Sequence, residues 1–204
     1  ASAIQRRVAM PDVTDFASIT GKGVSGRIDG RHAAIGNSRL FADLGVVSMS
    51  LEARADDLRR DGATAMFIAI DGRSAGIIAV ADPIKASTSA ALASLRTAGI
   101  HIVMLTGDNR TTAQTVAARL GITDIQAEVL PDQKQAIIRR MRGEGRIVAM
   151  AGDGVNDAPA LAEADIGIAM GTGTDVAMQS AGVTLVKGDR AGIARARSWS
   201  RATM

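Results

Sequence analysis

Cysteine is absent from the chain. That excludes a disulfide framework and any thiolate metal site, and it agrees with a reducing compartment. Aromatic residues are scarce, with three Phe, one Trp and no Tyr. Single-stranded nucleic-acid binders stack bases on aromatics, and nucleic-acid binders generally present a concentrated basic face. Here the net charge is only +3, and Lys and Arg are scattered apart from Arg190, Arg195, Arg197 and Arg201. Nucleic acid is therefore not an expected partner. No apolar run approaches the ~18 residues that span a bilayer. Segments such as Phe67-Ile68-Ala69-Ile70 and Ile77-Ile78-Ala79-Val80 are only strand-length. The chain opens at Ala1 with neither Met nor a signal-peptide pattern, so it is expected to be a piece of a longer protein.

What is abundant is glycine, 22 residues, within a composition that is 47% hydrophobic and 22% charged. This suits packed α/β layers joined by tight loops. Two patterns divide the chain near Asp82-Pro83. Before it, Val24 to Ile28 and Arg31 to Ile35 flank Asp29-Gly30, and Thr64 to Ile70 and Arg73 to Val80 flank Asp71-Gly72. Asp-Gly between strand-like runs signals a hairpin, because a type I′ turn needs positive φ at both central residues. Leu51 to Arg60 reads as an amphipathic helix stopping at Asp61-Gly62. This first lobe is expected to be helix on antiparallel sheet.

After Pro83 the pattern is strand, loop, helix, repeated. The expected strands are Ile100 to Leu105, Ile125 to Val129, Arg146 to Met150, Ile166 to Met170 and Val183 to Val186. Expected helices run from Arg110 to Leu120, with Gly121 as terminator, from Pro131 to Met141, and from Ala158 to Ala164. Continuous apolar strands alternating with helices imply a parallel, doubly wound α/β sheet. In such a sheet ligands bind beyond the carboxyl ends of the strands.

The polar clusters fall at those ends: Thr106-Gly107-Asp108, and Asp153-Gly154-Val155-Asn156-Asp157. Glycine lets backbone N–H groups approach an anion, and acids hold hard cations. With no Cys and no His cluster, the set points to Mg²⁺ and phosphoryl chemistry. Asp108 alone reads equally well as a turn or helix-cap residue, but a cap uses only one of Asp153 and Asp157. Lys134 stands in the first turn of a helix, where the dipole disfavours a cation. It is either a snorkelling surface residue or a point charge aimed at phosphate oxygens. Met104, Met150 and Met170 lie in apolar strands and are expected in the core rather than as metal ligands. His32 and His101 have no partner at ligand spacing and are expected to be structural or surface residues.

Thr106-Gly107-Asp108, Pro131-Asp132-Gln133-Lys134 and Gly152-Asp153-Gly154-Val155-Asn156-Asp157-Ala158-Pro159-Ala160-Leu161 resemble, in order, three signature segments of heavy-metal, copper-type P-type ATPases. These enzymes belong to the haloacid dehalogenase superfamily. The resemblance covers essentially the whole chain. It implies that Thr106 hydrogen-bonds phosphoryl oxygens and Lys134 neutralises them, with Gly107 and Asp108 in the same catalytic loop. It implies further that Asp153 ligates Mg²⁺, Asp157 completes the metal site and Asn156 supports it. Gly21-Lys22-Gly23-Val24 and Gly36-Asn37 resemble the ATP contacts of the heavy-metal subgroup. That makes Gly21, Gly23, Val24, Gly36 and Asn37 the implied nucleotide contacts, although Gly-x-Gly alone is equally a turn.

On this resemblance the chain comprises three parts. Residues 1–81 are the C-terminal part of an α+β antiparallel nucleotide-binding lobe. Residues 82–189 are a haloacid dehalogenase-like doubly wound parallel sheet whose first strand is missing, with Asp82-Pro83-Ile84-Lys85 resembling the hinge. Residues 190–204 are a basic lead-in to a membrane helix, placing the region on the cytosolic face. Neither the family's Asp-Lys-Thr-Gly-Thr phosphorylation motif nor its Ser-Glu-His-Pro-Leu motif is in the chain, and truncation accounts for both. The implied cofactor is Mg²⁺ and the substrate ATP. The implied partners are the rest of the pump (membrane helices, actuator domain and upstream nucleophile segment) and a transported heavy-metal ion. The tail Leu185-Val186-Lys187-Gly188-Asp189 favours Cu⁺, with Zn²⁺ and Ag⁺ left open. Two other readings are a soluble phosphatase of the same superfamily and a non-catalytic nucleotide-binding module.

Overall fold

The computed structural model describes residues 11–81, 84–152, 155–170, 179–185 and 192–193. The chain divides into two units, Ala1–Asp82 and Pro83–Met204.

The first unit is an antiparallel sheet in the order β1-β2-β3-β4-β5. Its strands are β1 (Val13–Ile19), β2 (Gly23–Ile28), β3 (Arg31–Gly36), β4 (Thr64–Ile70) and β5 (Arg73–Val80). Two hairpins turn where the sequence predicts. Asp29 and Gly30 have φ of 50° and 77°, and Asp71 and Gly72 have 48° and 74°, the double positive φ of a type I′ turn. The Asp71 carboxylate accepts from the His32 backbone N–H and the Arg31 guanidinium, tying the second turn to the first hairpin. Along β4 burial alternates, so Ala65, Phe67 and Ala69 share the buried face. They pack with Leu40 and Phe41 of α1 (Ser38–Asp43) and Ala55 of α2 (Met49–Arg60). The Phe41 and Phe67 rings lie 5.3 Å apart. Arg59 is buried against Phe67, its guanidinium 5.5 Å from the ring centroid and 2.9 Å from Asp56. Strand β1 and helix α1 carry no period that sequence reading detects: β1 is almost wholly exposed, and α1 is six residues long.

The second unit alternates strand and helix. Helix α3 (Ala86–Thr97) leads to β6 (Val103–Leu105), α4 (Arg110–Leu120), β7 (Asp124–Gln126) and α5 (Pro131–Gly143). Then follow β8 (Ala149–Gly152), a 3₁₀ turn (Val155–Asp157), α6 (Ala158–Glu163), β9 (Ile166–Met170) and β10 (Val183–Leu185). The pairing is parallel throughout, as helical crossovers require. Among the described residues the ladder is in two pieces, β6-β7 and β10-β9-β8. Each piece therefore ends on a strand, β6 or β8, that pairs on one side only. Gly121 closes α4 in the left-handed region at φ 66°, and Arg96 of α3 donates to the Leu120 carbonyl at the same end. Ile138, Met150, Ala160 and Leu161 form the apolar contact between α5, α6 and β8. Met150 and Met170 are buried and Met104 is half-buried, as core residues should be. Among the described residues no helix is long and apolar enough to cross a membrane.

Candidate functional site

The polar groups of the second unit are built from three strand ends. At the end of β6, the Thr106 hydroxyl donates to Asp108 Oδ2 at 2.9 Å and accepts from the Asp108 backbone N–H at 3.1 Å. Helix α4 is capped by the next residue, Asn109, whose side chain accepts from the Thr111 N–H. Asp108 is thus not the cap, and its carboxylate is turned to Thr106. The loop is held against the following segment by two backbone bonds, Val129 N–H to the Thr106 carbonyl and Glu128 N–H to the Asp108 carbonyl. Those residues run directly into α5, so the Thr106 loop and the α5 N-terminus are neighbours through hydrogen bonding. Space does not demand glycine at 107: a Cβ there would sit in ordinary contact, 3.5 Å from the Val129 carbonyl.

Pro131 opens α5 and Gln133 reaches back to accept the Leu130 N–H, half of a capping box. One residue further on, Lys134 Nζ donates to Asp157 Oδ1 at 2.7 Å. Both side chains are well covered, 15% and 12% exposed. A cation in a first helical turn is thereby compensated by a carboxylate rather than by solvent. Asp157 ends the 3₁₀ turn at the N-cap position of α6, yet its side chain makes no cap bond. Its carboxylate lies instead against Gly152, where a Cβ would come within 2.8 Å of Asp157 Cβ and Oδ2. Glycine at the end of β8 makes the room that the acid occupies. Asn156 is exposed beside it. Asp153 and Gly154 lie outside the described residues, as do Asp82-Pro83 and the tail beyond Leu185 apart from residues 192–193.

The glycines of the first unit form a second cluster. Gly23, at φ 148°, pairs across the sheet with Gly36, and a Cβ on Gly23 would meet the Ile35 carbonyl at 2.2 Å. A Cβ on Gly36 would meet Leu40 and the Lys22 carbonyl at 2.4 Å. Asn37 caps α1 by accepting from Arg39 and Leu40 N–H groups, while its amide donates to the Gly21 carbonyl at 2.8 Å. Val24 pairs with Ile35 in the same ladder. All five expected nucleotide contacts therefore gather at one end of β2 and β3, and close backbone packing by itself accounts for Gly23 and Gly36. His101 is paired with Asp124 at 3.0 Å on the surface.

Sequence reading missed the supports of this site. The Glu163 carboxylate accepts from Gln135 Nε2 at 3.0 Å and from Arg139 at 2.8 and 3.3 Å. The Arg139 hydrogen bond, then that of Gln135, holds the Glu163 carboxyl below its ordinary range. Arg142 bonds Asp165 Oδ1 and the Glu163 carbonyl, and Asp165 Oδ2 takes the Val148 N–H. The available signal was the placement of Gln135, Arg139 and Arg142 at i, i+4 and i+7, one helix face.

A family model for haloacid dehalogenase-like hydrolases matches residues 3–165, and the chain belongs to that family. Within it, the chain is homologous to metal-transporting P-type ATPases. It is 56% identical to a copper-transporting P-type ATPase of Rhizobium leguminosarum bv. viciae, over 98% of this chain and 24% of that protein. It is 54% identical to a silver exporting P-type ATPase of Salmonella typhimurium, over 100% of this chain and 25% of that one. The chain thus spans about a quarter of the length of the curated relatives it matches. Among solved structures, the catalytic domain of the CPx-ATPase CopB-B aligns with a TM-score of 0.70 and 27% identity, covering 95% of this chain and 68% of that one. A zinc-transporting PIB-type ATPase in the E2.Pi state aligns with a TM-score of 0.63 and 30% identity, over 99% of this chain and 32% of that one.

Proposed function

We propose that this chain is the cytosolic ATP-binding and phosphorylation region of a heavy-metal P-type ATPase that moves Cu⁺. The reading is carried by one observation: Lys134 and Asp157, in separate signature segments, meet at 2.7 Å beside a glycine that leaves room for the acid. The identity to copper and silver pumps over nearly the whole chain supports it, as does the CopB-B catalytic domain, described as changing conformation on nucleotide binding.

In this reading Gly21, Gly23, Val24, Gly36 and Asn37 receive the nucleotide. The Thr106 hydroxyl turns from Asp108 to a phosphoryl oxygen, Lys134 neutralises the phosphoryl charge, and Gly107 and Asp108 shape the loop. Asp157 and Asp153 hold Mg²⁺, and Asn156 supports them. The donor set suits that ion, which takes one or two carboxylates and keeps several waters. Bound there, Mg²⁺ would supply charge neutralisation at the phosphoryl oxygens. The nucleophile is an aspartate of the parent pump upstream of this region: its carboxylate attacks the γ-phosphorus and ADP leaves. The remaining partners are the membrane helices, the actuator domain and the transported ion.

The isolated chain accordingly binds nucleotide without turnover. Incubation with radiolabelled ATP and Mg²⁺ followed by acid quench should leave the chain unlabelled, while nucleotide titration perturbs the Gly21, Gly23 and Asn37 amide signals. Acid-stable, hydroxylamine-sensitive label on this chain, or no nucleotide response at those amides, overturns the reading.

A further inference from the structure

The Lys134–Asp157 pair joins two helices of unequal strength. Helix α5 has thirteen residues, whereas α6 has six, fewer than two turns. The apolar contact between them rests on Ile138, Ala160 and Leu161 with Met150 of β8. Four small or medium side chains make this a limited packed surface, to which directional polar contacts add. Lys134 has a long, flexible side chain, in a turn whose dipole disfavours it. A second directional contact between the helices would help to keep it in reach of Asp157.

We propose that Glu163 is a positioning residue that supplies this contact. Asp157 and Glu163 sit at opposite ends of α6, six residues or ~9 Å apart along the axis. The first end meets α5 at Lys134. The second meets it at Gln135 and Arg139 through the Glu163 carboxylate, and at Arg142 through the Glu163 carbonyl. The side chain of Glu163 is 15% exposed, while its partners Arg139 and Arg142 reach into solvent at 69% and 42%. The anchor is thus covered at the acid and open at the guanidinium groups. Two polar anchors on one short helix, each gripping the same long helix, fix both register and rotation. Arg142 extends the second anchor to Asp165, which accepts the Val148 N–H ahead of β8. Glu163 therefore acts on the phosphate-facing lysine without touching it. The proposal rests on the reading of Lys134 and Asp157 as phosphate- and magnesium-facing groups, but concerns the geometry of the pair alone.

The test is trace acetylation of lysines in the 204-residue chain, quantified at Lys134 by mass spectrometry. Asp157→Asn breaks the pair directly and sets the upper rate. Glu163→Ala should approach it, several-fold above the parent. Glu163→Gln keeps an acceptor for Gln135 and Arg139 and should fall between, and it serves where the alanine variant fails to fold. Hydrogen exchange at Ile138 and Leu161 separates loss of position from general loosening. Parent-like Lys134 labelling in a folded Glu163 variant, or labelling that rises only in step with exchange at those core amides, overturns the proposal. Adding inorganic phosphate with Mg²⁺ addresses the underlying reading separately. If Glu163 variants expose Lys134 but phosphate never protects it, the positioning role stands and the phosphate role falls.

Discussion

Gly152→Ala is the sharpest perturbation the site allows. Gly152 does not need positive φ, so alanine fits the backbone, and the whole cost comes from collision. The added Cβ would lie 2.8 Å from Asp157 Cβ and Oδ2 and 2.9 Å from Cγ. Either the end of β8 shifts, or the Asp157 carboxylate leaves and the 2.7 Å contact to Lys134 is lost. Overpacking of this kind costs about 1–3 kcal/mol. A sheltered ion pair that can partly rehydrate adds about 1 kcal/mol. The expected total is about 2–4 kcal/mol. Gly107→Ala is the matched control, because its Cβ makes only an ordinary 3.5 Å contact with the Val129 carbonyl. Its expected cost is within about 0.5 kcal/mol. Because the chain has two units, one melting curve would merge two transitions. The suitable assay is native-state hydrogen exchange of α5 and α6 amides. Gly152→Ala should speed exchange there by about 30- to 900-fold, leaving β2 to β4 unchanged. Exchange at the parent rate in Gly152→Ala, or equal effects of the two alanines, would refute the steric argument.

Asp153→Asn should abolish most Mg²⁺ binding by the chain, since Mg²⁺ relies on one or two carboxylates; an unchanged titration would remove Asp153 from the metal site. The sides of β6 and β8 that pair with no strand among the described residues predict a chain that is marginally stable or self-associating. On the proposed function, a longer form that includes the parent pump's nucleophile strand should fold cooperatively, gaining on the order of 6–12 kcal/mol from several buried apolar side chains. A monomeric 204-residue chain whose second-unit amides exchange as slowly as those of the longer form would contradict this. Acid should loosen the α5–α6 clamp. Glu163 is lowered chiefly by the Arg139 hydrogen bond, and Asp165 chiefly by the Val148 N–H. Both lowered carboxyls stabilise fully above the ordinary carboxylate range and lose that contribution as pH falls through their lowered native values, beneath that range. Amide signals of Val148 and α6 should therefore shift at the acid side of that range, and Glu163→Gln should weaken the response at α6.

Much of this protein was legible because the governing forces are local. The two Asp-Gly turns, the Gly121 terminator and the Pro131 helix start each follow from φ preferences acting over a few residues, and the structure has them there. The strand-and-helix alternation gave the parallel second unit, although β6 and β7 are each only three residues long. Helix α3 escaped detection because its inward face is carried by Ala91 and Leu95 with Thr88, too weak an apolar stripe to read. The motif order likewise grouped Thr106, Lys134 and Asp157 as candidates for one chemistry without any geometry.

Their arrangement was not legible. Lys134 and Asp157 are 23 residues apart, and whether they meet depends on how α5 packs beside α6. The need for glycine at Gly152 is invisible in its own backbone and appears only when the Asp157 carboxylate is in place. Glu163 reads as a surface acid until Gln135, Arg139 and Arg142 of α5 are brought around it. Backbone preferences decide elements because they cost energy residue by residue. Which side chains face one another is decided by close packing between elements, where a displacement of an ångström makes or breaks a contact.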